Sequence, residues 1–199
     1  MSRSLYLIIG IVVFILIVCG GYLELEGTDV SVGDNNESKQ EILEELVYKG
    51  KFPIPIENLV KVTSHYGYRP PVYNDEGVQI SGGKLHSGID LVGKENSRII
   101  SVKDGEVIHS GWHNSYGNSV EIKHINDDGT FFYTLYAHMK DDSLCVKKGD
   151  IVKEGQVIGV QGTTGNSTGD HLHFEVRTNT GSNRYSVDPA PYLFSEEGE

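Results

Sequence analysis

Three short segments concentrate groups able to hold a metal ion and move protons: His86-Ser-Gly-Ile-Asp90, Tyr136-Ala-His138 and His171-Leu-His173. Together they offer four imidazoles and one carboxylate. Neutral imidazole nitrogen and carboxylate oxygen are zinc donors at about 2.0–2.2 Å, and a catalytic zinc site takes three protein ligands and leaves a fourth position open. Two imidazoles then remain for proton transfer and charge stabilisation. That is the inventory of a hydrolytic zinc site.

These residues must be brought together by the elements that carry them. His171 and His173 lie two apart in a strand pattern, which points both rings to one face and Leu172 and Phe174 to the other. His86 and Asp90 also have even spacing, but one ideal strand would hold their Cα atoms about 13 Å apart. Gly88 between them can bend the backbone, and a bulge is expected at Ser87-Gly88. His138 closes an aromatic run over 131–136 and is expected at a strand end. Tyr116-Gly-Asn118 and the glycine-rich stretch 162–169 read as loops around a groove, with Asn118 and Thr168 as candidates for hydrogen bonds to a substrate or to the site residues.

Beyond Phe52 the chain is a series of short β-branched runs, at 99–102, 105–108, 119–123, 131–136, 150–152, 156–158 and 171–176. Turn signals such as Lys103-Asp-Gly105 and Asp127-Asp-Gly129 separate them, and no long 3.6-residue periodicity follows residue 50. The expected class is all-β, mainly antiparallel, as a sandwich or open barrel over 52–195, with a short tail at 196–199. Only Cys19 and Cys145 occur, so no disulfide can form within this domain. A net charge of −11 argues against nucleic acid as a partner, because phosphate backbones attract basic surfaces.

The amino-terminal part reads differently. After a short tip at 1–4 that carries Arg3, residues 5–23 are uncharged and almost wholly apolar, long enough to span a bilayer. A transmembrane anchor is expected there, with the amino terminus cytoplasmic and the remainder extracytoplasmic. A cleaved signal peptide and a secreted product form the alternative. Residues 24–51 read as an acidic linker that ends in a short amphipathic helix at 41–48.

The ordered motifs Ser64-His-Tyr-Gly-Tyr-Arg69, His86-Ser-Gly-Ile-Asp90, Tyr116-Gly-Asn118, Tyr136-Ala-His138, Gly162-Thr-Thr-Gly-Asn-Ser-Thr-Gly169, His171-Leu-His-Phe-Glu175 and Asp188-Pro189 together resemble the lysostaphin-type, LytM-like zinc metallopeptidases. The resemblance runs from about residue 62 to 193. It implies a LytM-like core with a duplicated hybrid motif and one zinc held by His86, Asp90 and His173. It also implies His138 and His171 as catalytic imidazoles and peptide bonds of peptidoglycan as the substrate. His171 is favoured as proton shuttle and His138 as oxyanion stabiliser, with the reverse assignment open. Asp170 stands where such proteins most often carry proline. A non-enzymatic envelope scaffold or activator, acting through an envelope protein partner, is the competing expectation. Which bond is cut is not encoded in these motifs.

Overall fold

A computed structural model describes residues 51–180 and 183–194. The expected anchor at 5–23, the helix at 41–48 and the tail at 196–199 lie outside these residues. Among the described residues, no helix is long and apolar enough to cross a membrane.

The described chain is almost entirely strand: β1 (Leu59–Ser64), β2 (Gly67–Arg69), β3 (Val72–Tyr73), β4 (Gln79–Ser81), β5 (Lys84–His86), β6 (Ile89–Gly93), β7 (Arg98–Ile100), β8 (Gly105–His113), β9 (Gly117–Ile125), β10 (Phe131–Met139), β11 (Ile151–Val152), β12 (Val157–Val160), β13 (Leu172–Thr180) and β14 (Asn183–Val187). One short helix, α1 (Ala190–Leu193), follows. An eight-stranded antiparallel sheet runs β1-β6-β13-β10-β9-β8-β11, with β14 also paired to β13. Three two-stranded ribbons, β12-β7, β2-β5 and β3-β4, complete the strands. The architecture is therefore one dominant sheet with small satellites, more unequal than a sandwich of two matched sheets.

All seven runs marked by their composition are strands. The segments that composition did not resolve are β1 to β6 and β14, where runs are as short as two or three residues. Too few alternations occur in β2 to β5 for periodicity to register, whereas β1, β6 and β14 reach five or six residues.

Alternation in the central strands builds the core. Val120 and Ile122 of β9, Phe132 and Tyr136 of β10, and Leu172, Phe174 and Val176 of β13 are buried in one cluster with Ile89, Leu91, Ile99 and Ile158. Each such side chain contributes about 1.5–3 kcal/mol on burial. Phe52 stacks on Phe132 and Tyr192, which ties the entry to the domain and α1 onto the same core.

His124 lies on the core face of β9 and supports the sheet, as its sequence context suggests. Its Nδ1 donates to the carbonyl of Asp104 at 2.9 Å, its Nε2 lies 2.7 Å from Thr134 Oγ1, and its ring stacks on Phe132. Burial pushes its pKa down to about 4. In the unfolded chain the ring would protonate near 6.5, so between these values the unfolded state binds the extra proton. Its contribution is complete above pH ~6.5 and falls away toward pH 4, by on the order of 3 kcal/mol. Denaturant unfolding of wild type and His124→Asn between pH 7.5 and 4.5 should show a flatter pH dependence in the variant; parallel curves would contradict this.

Candidate metal centre

The register of the main sheet places the first two site residues. Asp90 of β6 stands directly opposite His173 of β13, and His173 also faces Ala137 of β10. His86 reaches the same point from another sheet, since it ends β5, whose partner is Gly67 of β2. Ser87-Gly88 is thus a break between two strands rather than a bulge within one. Gly88 does not act through unusual backbone freedom either. A Cβ at that position would lie 2.3 Å from the carbonyl oxygen of Phe174, 2.9 Å from Glu175 Cγ and 3.0 Å from His173 Cε1. Glycine is required there because the turn lies flat against β13.

His86 Nε2, Asp90 Oδ1 and His173 Nδ1 converge, with separations of 3.1 Å from His86 to Asp90, 3.1 Å from His86 to His173 and 2.8 Å from His173 to Asp90. The far nitrogens of both rings are already committed. His86 Nδ1 donates to the carbonyl of His65 at 2.7 Å, and His173 Nε2 donates to Glu175 Oε1 at 2.9 Å. Each neutral ring must therefore turn a lone pair toward the other, beside a carboxylate. Such an arrangement is repulsive unless a cation or proton lies among the three atoms. Tetrahedral zinc with donors at about 2.0–2.1 Å separates its ligand atoms by about 3.3 Å, so the observed spacing fits that ion.

The charges agree with this reading. Burial would raise the pKa of Asp90, but hydrogen bonds from His173 and His86 outweigh it and hold the carboxyl well below the usual range. Arg69 Nη2 adds a 2.9 Å ion pair to Asp90 Oδ2 and also donates to Ser64 Oγ. Burial would lower the pKa of His173, whereas its bonds to Asp90 and Glu175 raise it on balance.

The two remaining imidazoles border the same point. His138 sits where β10 slips against β9, since Tyr136 pairs with Val120 but Met139 with Asn118. The extra residue makes a bulge, and His138 takes a positive φ of 62° there. Its amide donates to the carbonyl of Tyr116 at 2.8 Å and its Nδ1 to the carbonyl of Thr164 at 2.7 Å, leaving Nε2 as the free ring nitrogen. Burial, reinforced by His171 and His173, pushes its pKa down to about 4. His171 directly precedes β13, with Nδ1 donating to Gly169 O at 2.8 Å and Nε2 lying 3.7 Å from Asp90 Oδ1. The two ring centroids are 4.8 Å apart. All five residues of the expected constellation thus share one site, with His171 and His173 on one face and Leu172 and Phe174 buried on the other.

The two loop candidates lie in segments that pack on one another beside the site. Asn118 Nδ2 donates to Asp141 Oδ1 at 2.8 Å and its backbone N to Thr164 Oγ1, so Asn118 joins loop to loop. Thr168 is exposed, and Thr164 of the same stretch is the residue that touches His138. Gly117 and Gly165, both with positive φ, pack backbone against backbone and hold Thr164 in that position. Sequence reasoning also passed over Glu175 and Arg177. Their signal was present: 171, 173, 175 and 177 continue one period-2 face.

A family model described as peptidase family M23 matches residues 84–189. Glycyl-glycine endopeptidase ALE-1 of Staphylococcus capitis is 39% identical over 130 residues, 65% of this chain and 33% of the relative. Murein hydrolase activator NlpD of Escherichia coli is 39% identical over 109 residues, 54% of this chain and 26% of the relative. The chain thus spans about a quarter to a third of the length of these curated relatives. Among solved structures, the catalytic domain of lysostaphin from Staphylococcus simulans superposes with a TM-score of 0.54 at 34% identity, covering 68% of this chain and 92% of that one. A zinc-containing peptidase from Vibrio cholerae gives 0.52 at 32% identity, with 70% and 38% covered.

Zinc held at this point would compete with a proton for His173 Nδ1, and the bonds to Asp90 and Glu175 that raise the pKa of His173 favour the proton in that competition. Chelator competition should show zinc affinity falling by about tenfold per pH unit once His173 is protonated; an affinity independent of pH from 8 to 5.5 would exclude His173 as a ligand. Gly88→Ala should destabilise the fold by about 1–3 kcal/mol through overpacking against β13 and weaken zinc binding, as thermal unfolding and metal titration would report.

Proposed function

The chain belongs to peptidase family M23, and on that premise we propose that it is a zinc-dependent endopeptidase that hydrolyses peptide bonds in bacterial peptidoglycan. The observation that carries this reading is the pair of facing ring nitrogens, His86 Nε2 and His173 Nδ1, 3.1 Å apart beside Asp90 Oδ1, with two further imidazoles at their border. His86, Asp90 and His173 would hold the zinc. When bound, the ion would supply a Lewis acid that polarises the scissile carbonyl and lowers the pKa of water.

The protein's own groups would then handle the proton. His171 and His138 both spend Nδ1–H on a backbone carbonyl, so in the neutral form each presents Nε2 as a proton acceptor. His171, the closer to Asp90 and more accessible of the two, would take the proton from water and return it to the leaving amine. His138 would stabilise the developing oxyanion once its Nε2 carries a proton, which its buried position resists until negative charge forms beside it. The segments Tyr116-Gly-Asn118 and 162–169, joined through Thr164, would form one wall of the substrate groove.

The similarity to a murein hydrolase activator supports a second reading, in which the domain acts as an envelope scaffold. The complete set of His86, Asp90, His173, His138 and His171 favours the enzyme. Residues 5–23 would anchor the domain to the outer face of the cell membrane, with peptidoglycan within reach.

Incubated with purified cell walls of differing cross-bridges, the zinc-loaded protein should release new amino groups, and muropeptide mass spectrometry would identify the bond. His138→Ala and His171→Ala should lower the rate by about 10²–10⁴-fold while keeping stoichiometric zinc, whereas Asp90→Ala should lose the metal. Zinc uptake without cleavage of any wall would favour the scaffold. Membrane fractionation with sequencing of the mature amino terminus should recover an uncleaved, membrane-bound chain; a soluble product that begins beyond residue 18 would indicate a signal peptide instead.

A further inference from the structure

Behind His173 lies a carboxylate that the proposed hydrolysis does not use. Glu175 has no solvent exposure, and its oxygens are fully occupied. Oε1 accepts from His173 Nε2 at 2.9 Å, Ser87 Oγ at 2.7 Å and Tyr116 OH at 2.8 Å. Oε2 accepts from Arg177 Nε at 2.7 Å and Ser186 Oγ at 3.2 Å. Arg177 in turn spends Nη1 on Glu121 Oε1 at 2.9 Å and Nη2 on Tyr116 OH at 3.0 Å. A buried carboxylate is expensive unless paired and saturated with donors, and this one is both.

The donors converge from separate parts of the fold. Ser87 belongs to the turn between the two other ligands, Tyr116 to the loop before β9, Ser186 to β14 and Arg177 to β13 itself. The Tyr116 ring also lies against the His173 ring, with centroids 5.8 Å apart, and its carbonyl accepts from the His138 amide. A carboxylate held from so many sides is in one place, and so is the proton it accepts.

We propose that Glu175 is a positioning residue for the metal centre: by accepting a hydrogen bond from the Nε2–H of His173 it fixes the tautomer that turns Nδ1 toward the ion, with Arg177, Tyr116 and Ser87 as its clamp. The inference rests on the reading of His86, Asp90 and His173 as zinc ligands and deepens it. Two imidazole nitrogens are otherwise close in energy, and a ring free to exchange tautomers would present a proton to the metal part of the time. Through Tyr116 the same clamp reaches the loop that fixes His138, so ligand and catalytic imidazole are set by one buried network.

The test uses the full chain and zinc alone. Glu175→Gln keeps the shape, but neither orientation of its amide can serve both His173 and Arg177. It should weaken zinc by about 10–100-fold in chelator competition. Nitrogen-15 NMR of the histidine rings should show a protonated Nε2 on His173 in wild type and mixed tautomers in the variant. Zinc affinity within twofold of wild type, or an unchanged His173 tautomer, would overturn the proposal. Should Glu175→Gln fail to fold, Tyr116→Phe decides, since it keeps the ring and removes one donor; it should weaken zinc severalfold, and an unchanged affinity would count against the clamp. These readouts are independent of cleavage. A wild-type chain that binds zinc yet opens no wall bond would sink the peptidase reading and leave this one standing, whereas one that takes up no zinc would sink both.

Discussion

The structure is organised around two ring nitrogens that face each other. His86 and His173 meet at 3.1 Å with their opposite nitrogens bound to a carbonyl and a carboxylate, so neither ring can relieve the contact by exchanging its proton. Asp90 Oδ1 lies against both. A cation or a proton among the three atoms would resolve the conflict, and the surrounding packing keeps the three atoms in place. The adjoining turn must lie flat on β13, which is why position 88 tolerates no side chain. Asp90 must stand opposite His173, which the antiparallel register of β6 and β13 provides.

β13 carries most of this burden. Its inward face contributes Leu172, Phe174 and Val176 to the core, and its other face presents His173, Glu175 and Arg177 in succession, with His171 just ahead of them. In the proposed mechanism this strand and the residue just ahead of it would supply a proton-transfer group, a metal ligand, the acceptor that fixes the ligand and the cation that balances the acceptor. A strand paired to β10 on one edge, and to β6 and then β14 along the other, holds such a row more closely than a loop could. The flanking strands are central and hydrophobic, so the charged face is the exception within a conventional core. It is tolerated because every charge on it has a partner: Glu175 with Arg177, Arg177 with Glu121, and Asp90 with Arg69.

The two bordering imidazoles, His138 and His171, illustrate a different device. Both are held by backbone carbonyls at Nδ1, but His138 is carried by a bulge with positive φ, whereas His171 sits just ahead of its strand. Strain at His138 is offset by two hydrogen bonds, to Tyr116 and Thr164, from loops that themselves pack glycine to glycine. The mobile-looking composition of 162–169 thus conceals a fixed element at Thr164. The glycines serve close approach of backbones as much as flexibility, and composition alone does not distinguish those uses.

Much of this was legible in the chain. The donor types and their order, the same-face placement of His171 and His173, the all-β class and the seven β-branched runs follow from local chemistry and a period of two, which depend only on neighbours along the sequence. Other features are set by contacts between distant segments, and no local pattern encodes them. The break at Ser87-Gly88 is a second-sheet junction because β5 pairs with β2 rather than continuing into β6. Asn118 pairs with Met139 and donates to Asp141 because a bulge 20 residues on shifts its register. The clamp on His173 draws on Ser87, Tyr116 and Ser186, and through Arg177 on Glu121, residues ordinary in isolation, and becomes a unit only where three strands and two loops meet around one buried carboxylate. Local chemistry determined which groups could bind a metal; tertiary pairing decided which nitrogen of each ring would face it.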